Sequence, residues 1–466
     1  MQRHSSCCTK GDNTVLLFKE IRSFFTEGDE RSLVVKRNAV GAFLIRAVSM
    51  VIDFAKVPVL LSYLVPENYG VYLTITSIVA WTHQFDFGLG TGLRYQLTAA
   101  LSQNDETRGK QLVSTAYLSM ASIMAVVLIL CLPLVFSLDW NNILNTHKIQ
   151  SNELILCVLL VLAVFLVQFV IELITIVLQA DQKAAVSTLF KPIANVLTLL
   201  TIFVVREFSS NSLTIACLAM TVPILVVLLL ANIYLFGSRY HSILPSFKDF
   251  RKDCLRDIYS LGLKYFTSQF SALIVFNTAS FLISHFINPT ETSVYNTAWT
   301  YFGVLVMFNN MLLTPLVAAV TDAFIKKDTS WIKHSYSKIN KYCVLLSIAS
   351  LIQLLVSPFM FHLWVGDKII VPWSLSIVMT VFFICNIWSS PYQNFLTGVG
   401  KMNVMVIASF VKMIVFIPFA IVLIKLWGTV GLVVTILMVN TLPNMLLGMT
   451  QYSLIINNKA RGIWNR

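Results

Sequence analysis

The sequence predicts an all-α polytopic membrane protein, with about twelve transmembrane helices in two parallel-repeat six-helix bundles around a central cavity. Three observations predict it. The 466-residue chain breaks into long apolar stretches, its basic residues avoid every second connection, and its halves carry matching residues at a constant offset. Composition agrees: 57% of residues are hydrophobic and 12% charged, against a charged fraction of about 25% in soluble domains. A soluble fold of this length would need long polar helix faces. An outer-membrane barrel would alternate in short segments, and these runs are continuous.

The elements follow in order. Residues 1–37 form a leader too polar for a signal peptide, with no apolar core ahead of a cleavage site. Within it Val15–Phe25 (VLLFKEIRSFF) reads either as a short amphipathic helix on a leaflet or as a disordered tail. The first lobe, 38–237, holds apolar runs at 38–64, 69–101, 109–137, 152–180, 184–205 and 212–237. Each reaches the roughly 20 residues that a bilayer core of about 30 Å demands of a helix. A linker, 238–257, carries five basic residues. The second lobe, 258–456, holds runs at 258–288, 292–322, 341–364, 371–398, 402–426 and 428–456, and a tail, 457–466, closes the chain.

Orientation comes from Lys and Arg. Of 34 such residues, 24 fall in the leader, the tail and the connections on their side. Only Lys148, Arg206, Lys368 and Lys425 fall in the opposite loops, and six lie within spans. Short-loop Lys/Arg bias sets topology, so both termini are expected in the cytoplasm. The formal net charge of +12 is then mainly an orientation signal. Bases scattered over separate short loops make no nucleic-acid patch. Eight cysteines (Cys7, Cys8, Cys131, Cys157, Cys217, Cys254, Cys343, Cys385) show neither disulfide nor metal spacing and read as packing residues.

The repeat appears when Tyr63–Asp105 is laid over Phe286–Asp328, a shift of 223. Pro66 falls on Pro289, Val71-Tyr72 on Val294-Tyr295, Thr74 on Thr297 and Asp105 on Asp328. A shift of 218 sets Leu178, Lys183 and Val186 on Leu396, Lys401 and Val404. With six helices each, the halves share one orientation, which makes them parallel repeats about an axis along the membrane normal.

Ionisable groups in hydrocarbon cost at least about 2.5–3.5 kcal/mol each and normally face a cavity or a partner. The embedded bases are Arg46, Lys56, Arg94, Lys191, Lys264 and Lys412; the acids are Asp53, Asp86 and Glu172. Most sit in the cytoplasmic half of their spans. Arg46, Asp53 and Lys56, spaced seven and three apart, share one helical face. A wet, net-cationic vestibule fitted to a phosphate or diphosphate head group is the expected result. Duller readings stand beside it. Arg46 and Asp53 neutralise each other, Lys264 snorkels to the surface, and Glu172, or Asp86 with His83 one turn earlier, serves packing rather than ion coupling.

The second span carries Phe85-Asp86-Phe87-Gly88-Leu89-Gly90-Thr91-Gly92-Leu93-Arg94. Its alternate glycines allow a bend or a close helix approach. No strand precedes it and no Lys-Ser/Thr follows, so it is no phosphate-cradling nucleotide loop. This string, with VPVLLSYLVPENYGVY over residues 57–72, resembles the opening of the polysaccharide-biosynthesis exporters. These are the O-antigen flippases of the multidrug/oligosaccharidyl-lipid/polysaccharide exporter superfamily, and the likeness is strongest over 36–105. The resemblance implies two six-helix bundles flanking a V-shaped cationic cavity, with Arg46, Asp86, Arg94 and Lys412 as candidates for it. It implies translocation of an undecaprenyl-diphosphate-linked sugar repeat unit from the cytoplasmic to the periplasmic leaflet of a bacterial inner membrane. It also implies contact with membrane lipids, a polysaccharide polymerase and a chain-length regulator as partners. No cofactor is expected beyond a coupling proton or sodium ion, for which Glu172 and Asp86 are the candidate sites.

Two other classes stay in view. A drug or organic-cation exporter would share the architecture, but its cavity should be acidic and aromatic. A polymerase or ligase of lipid-linked glycans would need a sizeable outer loop. The longest here is about 14 residues, near Leu138–Ser151.

Overall fold

A computed structural model describes residues 30–81, 88–146, 148–208 and 212–465. His83, Asp86 and the Val15–Phe25 segment lie outside the described residues, as do the side chains of 260–273, Lys264 among them.

The first lobe opens with α1 (Glu30–Tyr63), followed by α2 (Pro66–Val79) and α3 (Leu89–Ser102), which together make the second crossing. The third is α4 (Glu106–Ser137); a short α5 (Trp140–Leu144) then caps the turn. The fourth comprises α6 (Ser151–Ile171) and α7 (Leu173–Ala180), the fifth α8 (Ala184–Ser187) and α9 (Phe190–Phe208), and the sixth α10 (Leu213–Gly237). The second lobe contains α11 (Lys252–Phe286), α12 (Pro289–Ile325), α13 (Thr329–Val365), α14 (Trp373–Val399) and α15 (Asn403–Thr435). After the π-turn Ile436–Thr441, α16 (Leu442–Ile456) completes it. The continuous run Asn403–Ile456 crosses twice because Gly428, at φ 59° and ψ −140°, turns it back on itself. A Cβ at Gly431 would overlap the Leu423 carbonyl, so glycine is required for so tight a hairpin.

The expected boundaries hold except on the face bearing the 103–105, 181–183, 238–251, 326–328 and 400–402 connections, here called the terminal face. There several helices run past the apolar stretch. Span seven was expected from 258, yet α11 starts at Lys252. Its first turns pack on the first lobe, where Arg108 bonds Asp257 (2.5 Å) and Cys254 Sγ (3.1 Å). Span nine was expected from 341, but α13 starts at Thr329, capped by Asp328. Apolar periodicity finds the part of a helix in lipid, whereas caps and lobe contacts decide where the helix begins.

The repeat is written into the backbone. Asn104 and Lys327, equivalent at a shift of 223, both take left-handed φ (55° and 57°). Each is followed by an aspartate that caps the next helix, Asp105 onto Arg108 N (2.8 Å) and Asp328 onto Trp331 N (2.9 Å). Gln182 and Gly400, equivalent at 218, are left-handed too, and they precede the matched bonds Lys183 N to Leu178 O and Lys401 N to Leu396 O. Such helix ends satisfy otherwise orphaned carbonyls.

On the opposite, far face the two halves meet through equivalent residues. A Cβ on Gly70 would overlap the carbonyl of Pro289, and Ser293 Oγ donates to the carbonyl of Pro66 (2.5 Å). Since 66 maps to 289 and 70 to 293, this is the reciprocal pairing an isologous contact requires. The pseudo-two-fold axis therefore passes between α2 and α12.

Candidate functional site

Two features define where a substrate could sit: how the lobes join, and where their polar side chains collect. The largest apolar core runs through the whole first lobe and into the far half of the second, reaching Phe302, Phe361, Phe382 and Ile436. The terminal half of the second lobe has its own core, around Tyr336, Tyr392, Phe395 and Ile455. The lobes are thus fused in the far half and packed separately in the terminal half. Among the described residues, the first turns of α11, through Cys254 and Ile258, join the first-lobe core on the terminal side. Gly92 makes that approach possible, because a Cβ there would overlap the Ile258 carbonyl. Gly88 (φ 82°) starts α3. The glycine string therefore supplies both a break in the second crossing and a close contact.

The far face is tied by pairs of links that the pseudo-symmetry relates. From the first lobe, Asn145 Nδ2 donates to the Ile287 carbonyl, and Leu144's carbonyl accepts from Ser284 Oγ, each at 2.8 Å. From the second lobe, Trp364 stacks on Phe54 with ring centroids 3.9 Å apart and planes 7° apart. Its indole N–H donates to the Phe54 carbonyl (2.9 Å), and Lys368 Nζ donates to that of Leu61 (2.5 Å).

The embedded charges collect in the first lobe. Asn195 on α9 joins α1, its amide nitrogen donating to Asp53 Oδ1 (2.7 Å) and its carbonyl oxygen accepting from Lys56 Nζ (3.1 Å). Lys56 and Asp53 are 4.0 Å apart. Asp53 is therefore matched by Lys56, not by Arg46. Arg46 is exposed and has no ion-pair partner among the described residues. Lys191, one turn before Asn195, is also exposed and lies within electrostatic range of both Lys56 and Glu172. Glu172 sits where α6 passes into α7 and accepts from Gln168 (3.5 Å). Arg94, exposed on α3, donates to Gln179 (3.4 Å) at the end of α7. The structure thus links Asp53, Lys56, Lys191 and Glu172 across α1, α9 and α6–α7, with the exposed Arg46 two turns earlier on α1.

Lys412 stands apart. Sequence placed it in a shared vestibule; it is buried between α15 and the last crossing, at 7% exposure. Its ammonium donates to Asn444 Oδ1 (2.9 Å) and Asn440 Oδ1 (3.3 Å), beside the π-turn. No carboxylate neutralises it among the described residues, so two amide oxygens solvate it instead. A cavity of about 340 Å³ lies between the lobes at mid-depth, bounded by α2, α11 and α12. It is lined by neutral groups, among them Thr76, Ser77, Asn277, Ser280, Asn296 and Trp299. The bases sit on α1 and α9, and Lys412 has turned into its own lobe.

Sequence reasoning missed Asn195, which bridges Asp53 and Lys56, and Asn440 and Asn444, which hold Lys412, because it inventoried ionisable groups alone. An uncharged amide within an apolar run was the available signal. On the terminal face, burial works to raise the Asp181 carboxyl, but bonds from Tyr240 (2.7 Å) and Lys183, and the Arg239 charge, outweigh it and hold it below the usual carboxylate range.

Comparison with known proteins gives consistent matches. Residues 35–321 match the family model described as polysaccharide biosynthesis protein. A candidate O-antigen export protein of Yersinia pseudotuberculosis is 23% identical over 388 residues, covering 80% of this chain and 84% of that protein. Among solved structures, an inward-facing multidrug-resistance transporter of the MATE family superposes at TM-score 0.73 and 16% identity, over 91% of this chain and 100% of that one. A MOP-superfamily transporter from Pyrococcus furiosus, described as having a binding pocket of reverse polarity, superposes at 0.62 and 16% identity, over 94% and 98%. These structures share the fold of two six-helix repeats.

Proposed function

The chain belongs to the polysaccharide biosynthesis protein family, and from that premise we propose that this multi-pass membrane transporter is a flippase for lipid-linked glycans. Its substrate is an undecaprenyl-diphosphate-linked repeat unit, carried from the cytoplasmic to the periplasmic leaflet of the bacterial inner membrane. The observation that carries the reading is the union of two features. The lobes are fused at the far face and packed apart at the terminal face, and the bases Arg46, Lys56 and Lys191 stand on α1 and α9.

With both termini cytoplasmic, as the Lys/Arg distribution favours, the described conformation opens inward. Arg46, Lys191 and Arg94 are exposed and Lys56 is partly so, which suits charge-assisted bonds to a diphosphate. The glycan crosses in the space between the lobes, because each unpaired hydroxyl entering hydrocarbon costs about 1–3 kcal/mol or more. The prenyl chain stays in lipid. Rocking about the α2–α12 contact then exchanges access. Glu172, within range of Lys191, is the described candidate for proton or sodium coupling.

The excess of bases argues against an organic-cation exporter. The test is transport in proteoliposomes: an undecaprenyl-diphosphate-linked hexose loaded in one leaflet should become accessible to impermeant periodate in the other. The rate should fall at least tenfold in R46A and K191A proteins that still insert. Wild-type rates in both variants would remove the head-group assignment, and no transport by the wild type would remove the function.

A further inference from the structure

The cavity at the lobe boundary has a composition that the head-group reading does not use. Among the described residues that line it, none is Lys, Arg, His, Asp or Glu. Its volume of about 340 Å³ falls within the range of small-molecule sites, roughly 300–1,000 Å³. The wall is shared by both lobes, with Thr76 and Ser77 from α2 facing Asn277 and Ser280 from α11 and Asn296 and Trp299 from α12.

Two groups there have hydrogen-bonding capacity left over. The half-buried Asn277 amide and the Trp299 indole N–H have no partner among the described residues. Asn296 spends its amide nitrogen on Ser280 Oγ (3.2 Å) and the Thr292 carbonyl (2.9 Å), which fixes its plane. The Trp299 ring is itself held by Phe276 (5.8 Å), Tyr295 (5.7 Å), Phe382 (5.0 Å) and Phe383 (5.1 Å). Little side-chain freedom remains to be lost on binding. A rigid indole beside a free amide, with no charge among the lining residues, suits a ligand that has both an apolar C–H face and a rim of hydroxyls.

We propose that this cavity is a subsite for one neutral pyranose ring of the transported glycan, stacked against Trp299 and hydrogen-bonded to Asn277. Arg46 and Lys191 lie nearer the terminal face than this cavity, whereas Lys56 stands at its depth, so a head group held by the first two would follow the sugar. The proposal rests on the glycan-lipid reading and assigns a separate part of the substrate to separate residues. Lobe rocking would dismantle the subsite, since α2 belongs to one lobe and α11 and α12 to the other; the sugar would be released as the far face opens.

The test compares two probes on the purified full chain by native mass spectrometry: undecaprenyl diphosphate, and the same lipid bearing a single hexose. The wild type should bind the hexosyl lipid at least tenfold more tightly. N277A and W299L should lose that preference while keeping wild-type affinity for the sugar-free lipid. Equal wild-type affinity for the two probes would overturn the subsite and leave the flippase reading standing. Binding of neither probe would overturn the flippase reading itself. N277A retaining the full preference, or losing affinity for both probes alike while melting at the wild-type temperature, would also refute the assignment.

Discussion

Replacing Trp364 by alanine should unlatch the far face, and the structure sets the size of the effect. Trp364 belongs to the second lobe and Phe54 to the first, so their stack at 3.9 Å and the indole bond to the Phe54 carbonyl at 2.9 Å exist only while the far halves are closed. An aromatic pair contributes about 0.5–1.5 kcal/mol beyond its burial, and a hydrogen bond about 0.5–1.5 kcal/mol net. Together they favour closure by about 2 kcal/mol. At about 1.4 kcal/mol per decade, their loss moves the closed-to-open ratio about 30-fold. A cysteine at Ser77, in the cavity just described, reports that ratio through its labelling rate with an impermeant maleimide applied from the far side of intact cells. Native cysteines give a background measured in the parent. W364A should raise the Ser77→Cys rate more than tenfold. F54A removes the stack but keeps the backbone carbonyl, so its rate should rise only about fivefold, and the double variant should match W364A because the two share one contact. An unchanged rate in W364A would show that the stack does not latch the lobes.

Four further outcomes follow from particular contacts. G70A and G92A each drive a Cβ into a backbone carbonyl of a partner helix, so each should lower the melting temperature in detergent, with an overpacking cost of about 1–3 kcal/mol; wild-type melting would mean these helices do not touch. Lys412→Met should retain membrane insertion yet impair surface-glycan assembly, and full complementation would assign Lys412 to packing alone. E172Q should abolish any dependence of transport on an imposed ion gradient, and an unaltered dependence would place coupling elsewhere. The folded Asp181 carboxyl is held below its unfolded range, so its stabilising effect is complete above the unfolded value and lost as pH falls through the folded one. D181N should therefore flatten the acid limb of the stability profile, and an unchanged limb would show that other carboxylates set it.

Sequence made the fold legible because hydrocarbon enforces it. Without water, every crossing must satisfy its backbone internally, so apolar runs of the right length can only be helices. The repeat was legible at Pro66/Pro289 and Asp105/Asp328 because those positions do backbone work, pairing the lobes and capping helices. The site was less legible. Period alone put Arg46 and Asp53 on one face, but could not say that Lys56 and Asn195 would claim the carboxylate. Nor could it turn Lys412 inward: that depends on Asn440 and Asn444, 28 and 32 residues downstream, arriving opposite it across the last hairpin. The neutral cavity left almost no trace, since Asn277 and Trp299 are unremarkable in an apolar run until α2, α11 and α12 converge.

Departures from the repeat locate function better than the repeat does. At the shift of 223 that aligns Pro66 with Pro289, Asp53 and Lys56 on α1 correspond to Phe276 and Ala279 on α11. The backbones are equivalent, so folding alone asks for no such difference. One lobe has a charged, amide-bridged pair where the other has an aromatic that walls the neutral cavity. A symmetric cargo would be served by symmetric lobes. A cargo with a diphosphate at one end and neutral sugar at the other is not symmetric, and neither is this pair of walls: bases on α1, rings and amides on α11 and α12. The divergence thus has the polarity that a lipid-linked glycan itself possesses, and a double-charged or wholly neutral cargo would leave one wall without a purpose.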